Sequence, residues 1–182
     1  KYVQLLPDDG LLVVNLDNDY CSKLHNYTNA KTISYGIQND KANFVGRNIT
    51  FDKNGFPRFD VYRNNFFYGS FELSVPGSHN VLNALACITL CDAYGIPKQD
   101  IKSALKKYTG AHRRFEFVGS FDGISIYDDY GHHPTEIKAT ALALKKKTYH
   151  HSWVVFQPHT YSRTKNLLDD FADSLTYFDN II

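Results

Sequence analysis

Twice in succession the C-terminal part of this sequence passes from a short apolar run, through a polar loop, into an amphipathic segment. Ile124-Ser125-Ile126-Tyr127 alternates as a strand does, and Glu136 to Lys147 places Ile137, Ala141 and Leu144 at helical spacing. Between them lies Asp128-Asp129-Tyr130-Gly131-His132-His133-Pro134-Thr135-Glu136. Downstream, Trp153-Val154-Val155-Phe156 reads as a buried strand and Gln157 to Arg163 as a polar loop. A helix follows from about Thr164 to Phe178, apolar at Leu167, Leu168, Phe171, Leu175 and Phe178. This repetition predicts an α/β fold. In such folds ligands bind outside the carboxyl ends of the strands. If the two strands are parallel neighbours, both polar loops reach one edge of the sheet.

The preceding residues have a different character. Leu11 to Leu16 is an apolar run broken only by Asn15, a buried strand that enters the polar Asp17-Asn18-Asp19. Lys31 to Ile37 is a second short strand. Residues 44 to 75 alternate polar with apolar and carry turn signals at Asp52-Lys53-Asn54-Gly55 and Arg63-Asn64-Asn65, which predicts an antiparallel meander. Pro76 to Asn80 breaks that pattern, and Ser78 or Asn80 caps a helix running to about Tyr94. Gly95-Ile96-Pro97 stops it, and Lys98 to Tyr108 is a second helix, stopped by Gly110. New strands begin at Arg113, so the expected domains are residues 1–111 and 112–182. Both ends look cut: Asp179 to Ile182 starts another strand, and Lys1 to Pro7 resembles the tail of a helix. An open parallel sheet of few strands has an unpaired edge, so the expectation is a fragment of a longer polypeptide.

Bulk properties exclude several classes. With 20 basic and 19 acidic residues and a net charge of +1, nothing favours nucleic acid or an anionic membrane as the main partner. No apolar run approaches the roughly 20 residues needed to span a bilayer, and Lys1-Tyr2-Val3-Gln4 is neither a signal nor a transit peptide. An odd set of cysteines, Cys21, Cys87 and Cys91, argues against a disulfide scaffold and fits a reducing compartment. Cys87 and Cys91, four apart on an apolar helix, read as core thiols. His150-His151 follows Lys145-Lys146-Lys147 and reads as a solvated turn.

Four ordered segments resemble the Mur ligases, ATP-dependent enzymes that add amino acids to the peptidoglycan precursor. Pro76 to Ala86 is similar to their HNxxNALA helix start, and His112-Arg113-Arg114-Phe115-Glu116 to the RRFE segment that opens their C-terminal domain. Asp128 to Glu136 and Gln157 to Lys165 are similar to the forms found in members that join L-alanine to UDP-N-acetylmuramate. The resemblance implies the second half of a central ATPase domain, a mixed sheet with an antiparallel meander and helices. The first half of a Rossmann-like C-terminal domain follows. It also implies a bacterial cytoplasmic setting. The sequence departs from the family in having no G-x-x-x-x-G-K-[ST] phosphate loop. It also lacks the family's upstream glutamate and histidine for magnesium, so Mg2+ ligands are expected outside it and the chain alone is expected to be inactive. Thr160 stands where many alanine-adding members have arginine.

On the residues alone, Asn80 reads as an N-cap, Asn83 as a surface residue and Arg114 as one half of a surface ion pair. The resemblance assigns Asn80 and Asn83 to adenine, Arg114 to the γ-phosphate of ATP and Asp129 to the ribose hydroxyls. It places Tyr130, His132 and His159 in the amino-acid site, with His132 as a proton relay, and Arg163 on the carboxylate of alanine. Asp128 is expected to serve a turn, and His133 with Pro134 to shape it. Three other readings compete. One is a sibling ligase that attaches a recycled peptide to the same sugar nucleotide. Another is a metal hydrolase built on His132, His133, His159, Asp128 and Asp129, although no H-x-H or H-x-x-x-H pair is present. The last is a non-catalytic binding module.

Overall fold

Asn64 and Asn65 both adopt positive φ, 48° and 68°. Two consecutive left-handed residues make the two-residue turn whose twist suits antiparallel strands, and asparagine tolerates that region. The turn joins β4 (Pro57–Arg63) to β5 (Phe66–Glu72). β3 (Phe44–Phe51) pairs antiparallel with β4, and β1 (Leu11–Asn15) and β2 (Lys31–Gly36) extend the sheet in parallel, in the order β1-β2-β3-β4-β5. Alternation along the meander turns Phe59, Val61 and Phe71 inward, each at most 1% exposed.

Helix α1 (Ser78–Ala93) covers this face with Val81, Ala84, Leu85, Ile88 and Thr89, the three- and four-residue spacing of a buried stripe. It approaches closely at Gly46, where a Cβ would stand 3.0 Å from Leu85 Cδ1 and 3.1 Å from Ile37 Cγ2. Helix α2 (Lys98–Lys107) buries Ile101 and sets the Lys98 and Lys102 ammonium groups over the rings of Tyr68 and Phe71. At the tip of β1, Asp17 accepts backbone N–H bonds from Ile37, Gln38 and Asn39 at 2.7, 3.0 and 2.9 Å, which fixes the turn after β2.

The computed structural model describes residues 1–182, which divide into two compact units. The sheet, α1 and α2 belong to the unit of Lys1–Asp52, Phe56–Ser74 and Ser78–Tyr108; the other comprises Lys53–Gly55, Val75–Gly77 and Thr109–Ile182. No helix is long and apolar enough to cross a membrane.

In the second unit β6 (Glu116–Phe121) and β7 (Ile124–Asp128) form an antiparallel hairpin closed by Asp122 and Gly123, with φ of 49° and 79°. Helix α3 (Pro134–Leu144) follows, then β8 (Trp153–Val154), α4 (Tyr161–Asn166), α5 (Leu168–Leu175) and β9 (Asn180–Ile181). β8 pairs in parallel with β9. Their start is clamped by Asp179, whose Oδ2 accepts the Ser152 N–H and hydroxyl at 2.7 and 2.8 Å. The core lies between α3 and α5, where Ile137, Ala141, Phe171 and Ser174 are buried.

The structure departs from three of the expectations. The strand before the Asp128–Glu136 loop and the strand before the Gln157 loop are not parallel neighbours. β7 pairs with β6 through a tight local turn and β8 pairs with β9. The Trp153–Phe156 run is not buried throughout: the strand is only Trp153–Val154, and Trp153 and Val155 stand 64% and 77% exposed. The helix expected from Thr164 to Phe178 is two helices, broken where Leu167 takes φ −120° and ψ 26°.

Candidate functional site

Pro134 cannot donate a backbone hydrogen bond and suits the first position of a helix. His133 before it is extended, and its Nδ1 accepts the Thr135 N–H at 3.3 Å, capping α3. An accepting Nδ1 puts the His133 proton on Nε2. His132 takes the opposite tautomer. Its Nδ1 lies 3.0 Å from the Tyr130 carbonyl, which can only accept, so Nδ1 carries a proton and, in the neutral ring, Nε2 keeps the lone pair. Adjacent histidines are thereby given different work by the backbone beside them.

The loop before α3 interlaces with the residues that enter β6. Asp129 ties them together: its Oδ2 accepts the Phe115 N–H at 2.9 Å and the Thr140 hydroxyl at 3.0 Å, and its Oδ1 accepts the Gly131 N–H at 2.6 Å. A side chain at Gly131 would displace the Asp129 carboxylate, since a Cβ would stand 2.7 Å from Asp129 Oδ1. Asp128 takes Arg113 Nε at 3.0 Å, and the Arg113 guanidinium lies 4.9 Å from the Tyr130 ring centroid. Arg113 and Phe115 hold positive φ of 57° and 48°, and Tyr130 N–H donates to Arg113 O at 2.7 Å.

Glu136 joins the two sides. One carboxylate oxygen accepts the His132 N–H at 2.9 Å and the other pairs with Arg114 Nη1 at 3.3 Å. Burial pushes this carboxyl up. The His132 N–H, the Arg114 guanidinium and the neighbouring charges outweigh it and hold Glu136 below the ordinary glutamate range.

The structure thus brings Arg114, Asp129, Tyr130 and His132 together at the N-terminus of α3. Tyr130 is half exposed and packs edge-on against His132, with ring centroids 5.2 Å apart. His159 and Arg163 lie on the other loop, ahead of and within α4. Arg163 Nη2 donates to the His159 carbonyl at 3.3 Å, and its Nε is buried with no partner. Asn80 and Asn83 belong to the first unit, on the outer side of the first turns of α1, where Asn83 Nδ2 donates to Asn80 Oδ1 at 3.1 Å. The helix starts at Ser78, so Asn80 sits inside the first turn rather than at the cap expected from the residues alone. Cys87 and Cys91 are not core thiols: Cys87 is exposed and Cys91 half-buried. No three His, Cys, Asp or Glu residues stand together as a metal-ion ligand set, and the carboxylates of Asp128 and Asp129 are engaged by donors. Sequence reasoning passed over Glu136 and Thr140; the signal for Glu136 was its position three residues after the capping residue, the spacing of a capping box.

Residues 1–91 match the family model described as Mur ligase middle domain, and residues 113–182 match the Mur ligase, glutamate ligase domain. The chain belongs to the Mur ligase family. Over all 182 residues it is 44% identical to the UDP-N-acetylmuramate--L-alanine ligase of Clostridium novyi (strain NT), and it spans 39% of that relative's length. Its fold is that of the UDP-N-acetylmuramate-alanine ligase MurC from Thermotoga maritima, with a TM-score of 0.76 and 29% identity, covering 94% of this chain and 36% of that one. MurF ligase from the same organism, solved in complex with ADP, shares the fold at a TM-score of 0.74 and 16% identity, covering 96% of this chain and 40% of that one. Within the Mur ligase glutamate ligase domain, residues 113–182 therefore open with the Arg113–Glu116 segment that Asp128, Asp129 and Glu136 hold.

Proposed function

We propose that this chain is part of an ATP-dependent ligase that joins L-alanine to UDP-N-acetylmuramate in the bacterial cytoplasm. Residues 1–111 supply the later part of its central ATP-binding domain, and residues 112–182 the first part of its C-terminal ligase domain. The observation that carries this reading is 44% identity over the whole chain to a ligase of that name, with the four motifs intact.

In the proposed reaction a carboxylate oxygen of the sugar nucleotide attacks the γ-phosphorus of ATP and ADP leaves. The amine of alanine then attacks the acyl phosphate, loses a proton and expels phosphate. Negative charge develops at both steps, so fixed donors and cations do most of the work. Asn80 and Asn83 offer side-chain amides that both donate and accept, suited to the adenine edge. Arg114 reaches the γ-phosphate by exchanging the Glu136 carboxylate for phosphoryl oxygens. Asp129 has about four lone-pair positions; Phe115, Gly131 and Thr140 fill three, which leaves Oδ1 one acceptor position for a ribose hydroxyl. Tyr130, His132 and His159 line the amino-acid site. The free lone pair on His132 Nε2 suits it to take the ammonium proton. Arg163, with a buried donor lacking an acceptor, suits the alanine carboxylate. No three His, Cys, Asp or Glu residues of the chain stand together as a ligand set for Mg2+.

The test is phosphate release by the protein expressed from its complete reading frame, with ATP, Mg2+ and UDP-N-acetylmuramate. Release that requires L-alanine is expected. Release only with a peptide would transfer the chain to the recycling ligases, and release with neither would remove the reading. Residues 1–182 alone are expected to release none.

A further inference from the structure

Cys87 and Cys91 lie on the outer face of α1 with their Sγ atoms 3.9 Å apart, and both are free thiols. The opposite face of the helix is fixed in the core: Val81, Leu85, Ile88 and Thr89 are all 0% exposed. The pair is therefore carried on a rigid element, and its spacing reflects the helix rather than a mobile loop. A tetrahedral soft cation with metal–sulfur bonds of about 2.3 Å needs its two sulfurs about 3.8 Å apart. A disulfide needs them about 2.05 Å apart, with Cβ atoms about 3.5–4.5 Å apart. Residues four apart on a helix hold their Cβ atoms about 5–6 Å apart. Oxidation thus demands that α1 bend, whereas chelation demands almost no movement.

We infer that Cys87 and Cys91 form a bidentate thiolate site for a thiophilic divalent cation, Zn2+ or Cd2+, on the outer face of α1. No third His, Cys, Asp or Glu joins them, so water completes the coordination. Two sulfur ligands select against Mg2+ and Ca2+, which take oxygen. Each thiol gives up a proton when its sulfur binds the cation. Uptake should therefore strengthen with rising pH and release up to two protons per cation.

The probe is Cd2+ alone, titrated into the reduced protein expressed from its own reading frame and followed by the ultraviolet thiolate-to-cadmium charge-transfer absorption. Zn2+ is measured by competition with a chromophoric chelator. One cation should bind, and Cys87→Ser or Cys91→Ser should each weaken it about a hundredfold, because the second donor no longer acts intramolecularly. Cys21→Ser should leave it unchanged, Cys87→His should retain much of it, and excess Mg2+ should not displace it. Both α1 positions face outward, so circular dichroism should show each variant folded. Wild-type affinity in either single serine variant would overturn the inference. Loss of uptake in Cys21→Ser, or a reduced protein that takes up no cation and only forms a Cys87–Cys91 disulfide under oxidant, would also overturn it.

Discussion

Glu136→Gln is the sharpest test of how the α3 terminus is held. The substitution keeps the side chain's shape and one acceptor oxygen but removes the charge. In the folded chain that charge meets the His132 N–H at 2.9 Å and Arg114 Nη1 at 3.3 Å, from the third residue of α3. A hydrogen bond to a charged acceptor contributes about 1.5–3 kcal/mol against about 1 for a neutral one, so roughly 1 is lost. The Arg114 and Glu136 side chains are 50% and 33% exposed, which keeps their ion pair near the low end of about 0.2–1 kcal/mol. A carboxylate near a helix N-terminus adds about 0.3–1 kcal/mol. The total is about 1.5–2 kcal/mol, roughly a ten- to thirtyfold fall in the ratio of folded to unfolded.

The pH dependence follows from the direction of the shift. Glu136 titrates below its ordinary range when folded, so its stabilisation is full above that range and is lost as pH falls through the folded value. The gap between wild type and Glu136→Gln should hold from pH 7 to pH 5 and close below about pH 4. Urea unfolding followed by Trp153 fluorescence reads it, since the single tryptophan lies in the same unit. Exchange of the His132 amide should speed up about tenfold at pH 7. Equal midpoints at pH 7, or a gap that survives unchanged at pH 3, would refute this account of the clamp.

Asp129→Ala strands the Phe115 and Gly131 N–H groups and the Thr140 hydroxyl, and should cost about 3 kcal/mol or more by the same urea assay. Asp129→Asn, which keeps one acceptor oxygen, should cost less than half as much, and equal costs would mean that the carboxylate is not the organiser. Thr160 holds φ 69° and ψ 112°, a conformation costing a β-branched residue about 1–3 kcal/mol. Thr160→Gly should therefore raise the midpoint, the relief of strain exceeding the roughly 0.4–1 kcal/mol that glycine's looser unfolded chain costs; a lowered midpoint would show no strain there. On the proposed reading, Asn80→Ala in the protein expressed from its complete reading frame should raise the KM for ATP and leave that for alanine nearly unchanged. The reverse pattern would remove Asn80 from the adenine site.

The meander was legible because its turns are written in residues with few alternatives: Asn64-Asn65 and Asn54-Gly55 tolerate positive φ where most residues do not. The start of α3 was legible for a similar reason, with an apolar run ending at Asp128 and Pro134 fixing the first turn. Pairing was not, because an apolar run does not name its partner. Yet Asp122-Gly123 is itself a hairpin signal, and it announced that β7 would turn back onto β6. The break at Leu167 left no trace, since neither glycine nor proline marks it. The orientation of Cys87 was hidden by composition: α1 carries apolar residues almost all round, so periodicity could not say which thiol faced out.

The candidate site separates into groups whose bonding capacity is spent on the fold and groups that keep some in reserve. Asp128 and Asp129, the most conspicuous residues of the sequence, are mostly spent. They fix Arg113, Phe115 and Gly131, and so decide where Arg114 and His132 stand. The reserve lies elsewhere, in the lone pair of His132 Nε2, in the guanidinium edge that Arg114 does not give to Glu136, and in Arg163 Nε. The last is the costliest, because a buried donor without an acceptor forfeits about 1–3 kcal/mol. An anionic group or an ordered water would satisfy that donor, which is why Arg163 is the residue proposed to meet the alanine carboxylate. An acid pair can therefore anchor a candidate site without supplying its chemistry, by fixing the segments that carry Arg114 and His132, the residues to which the proposed roles fall.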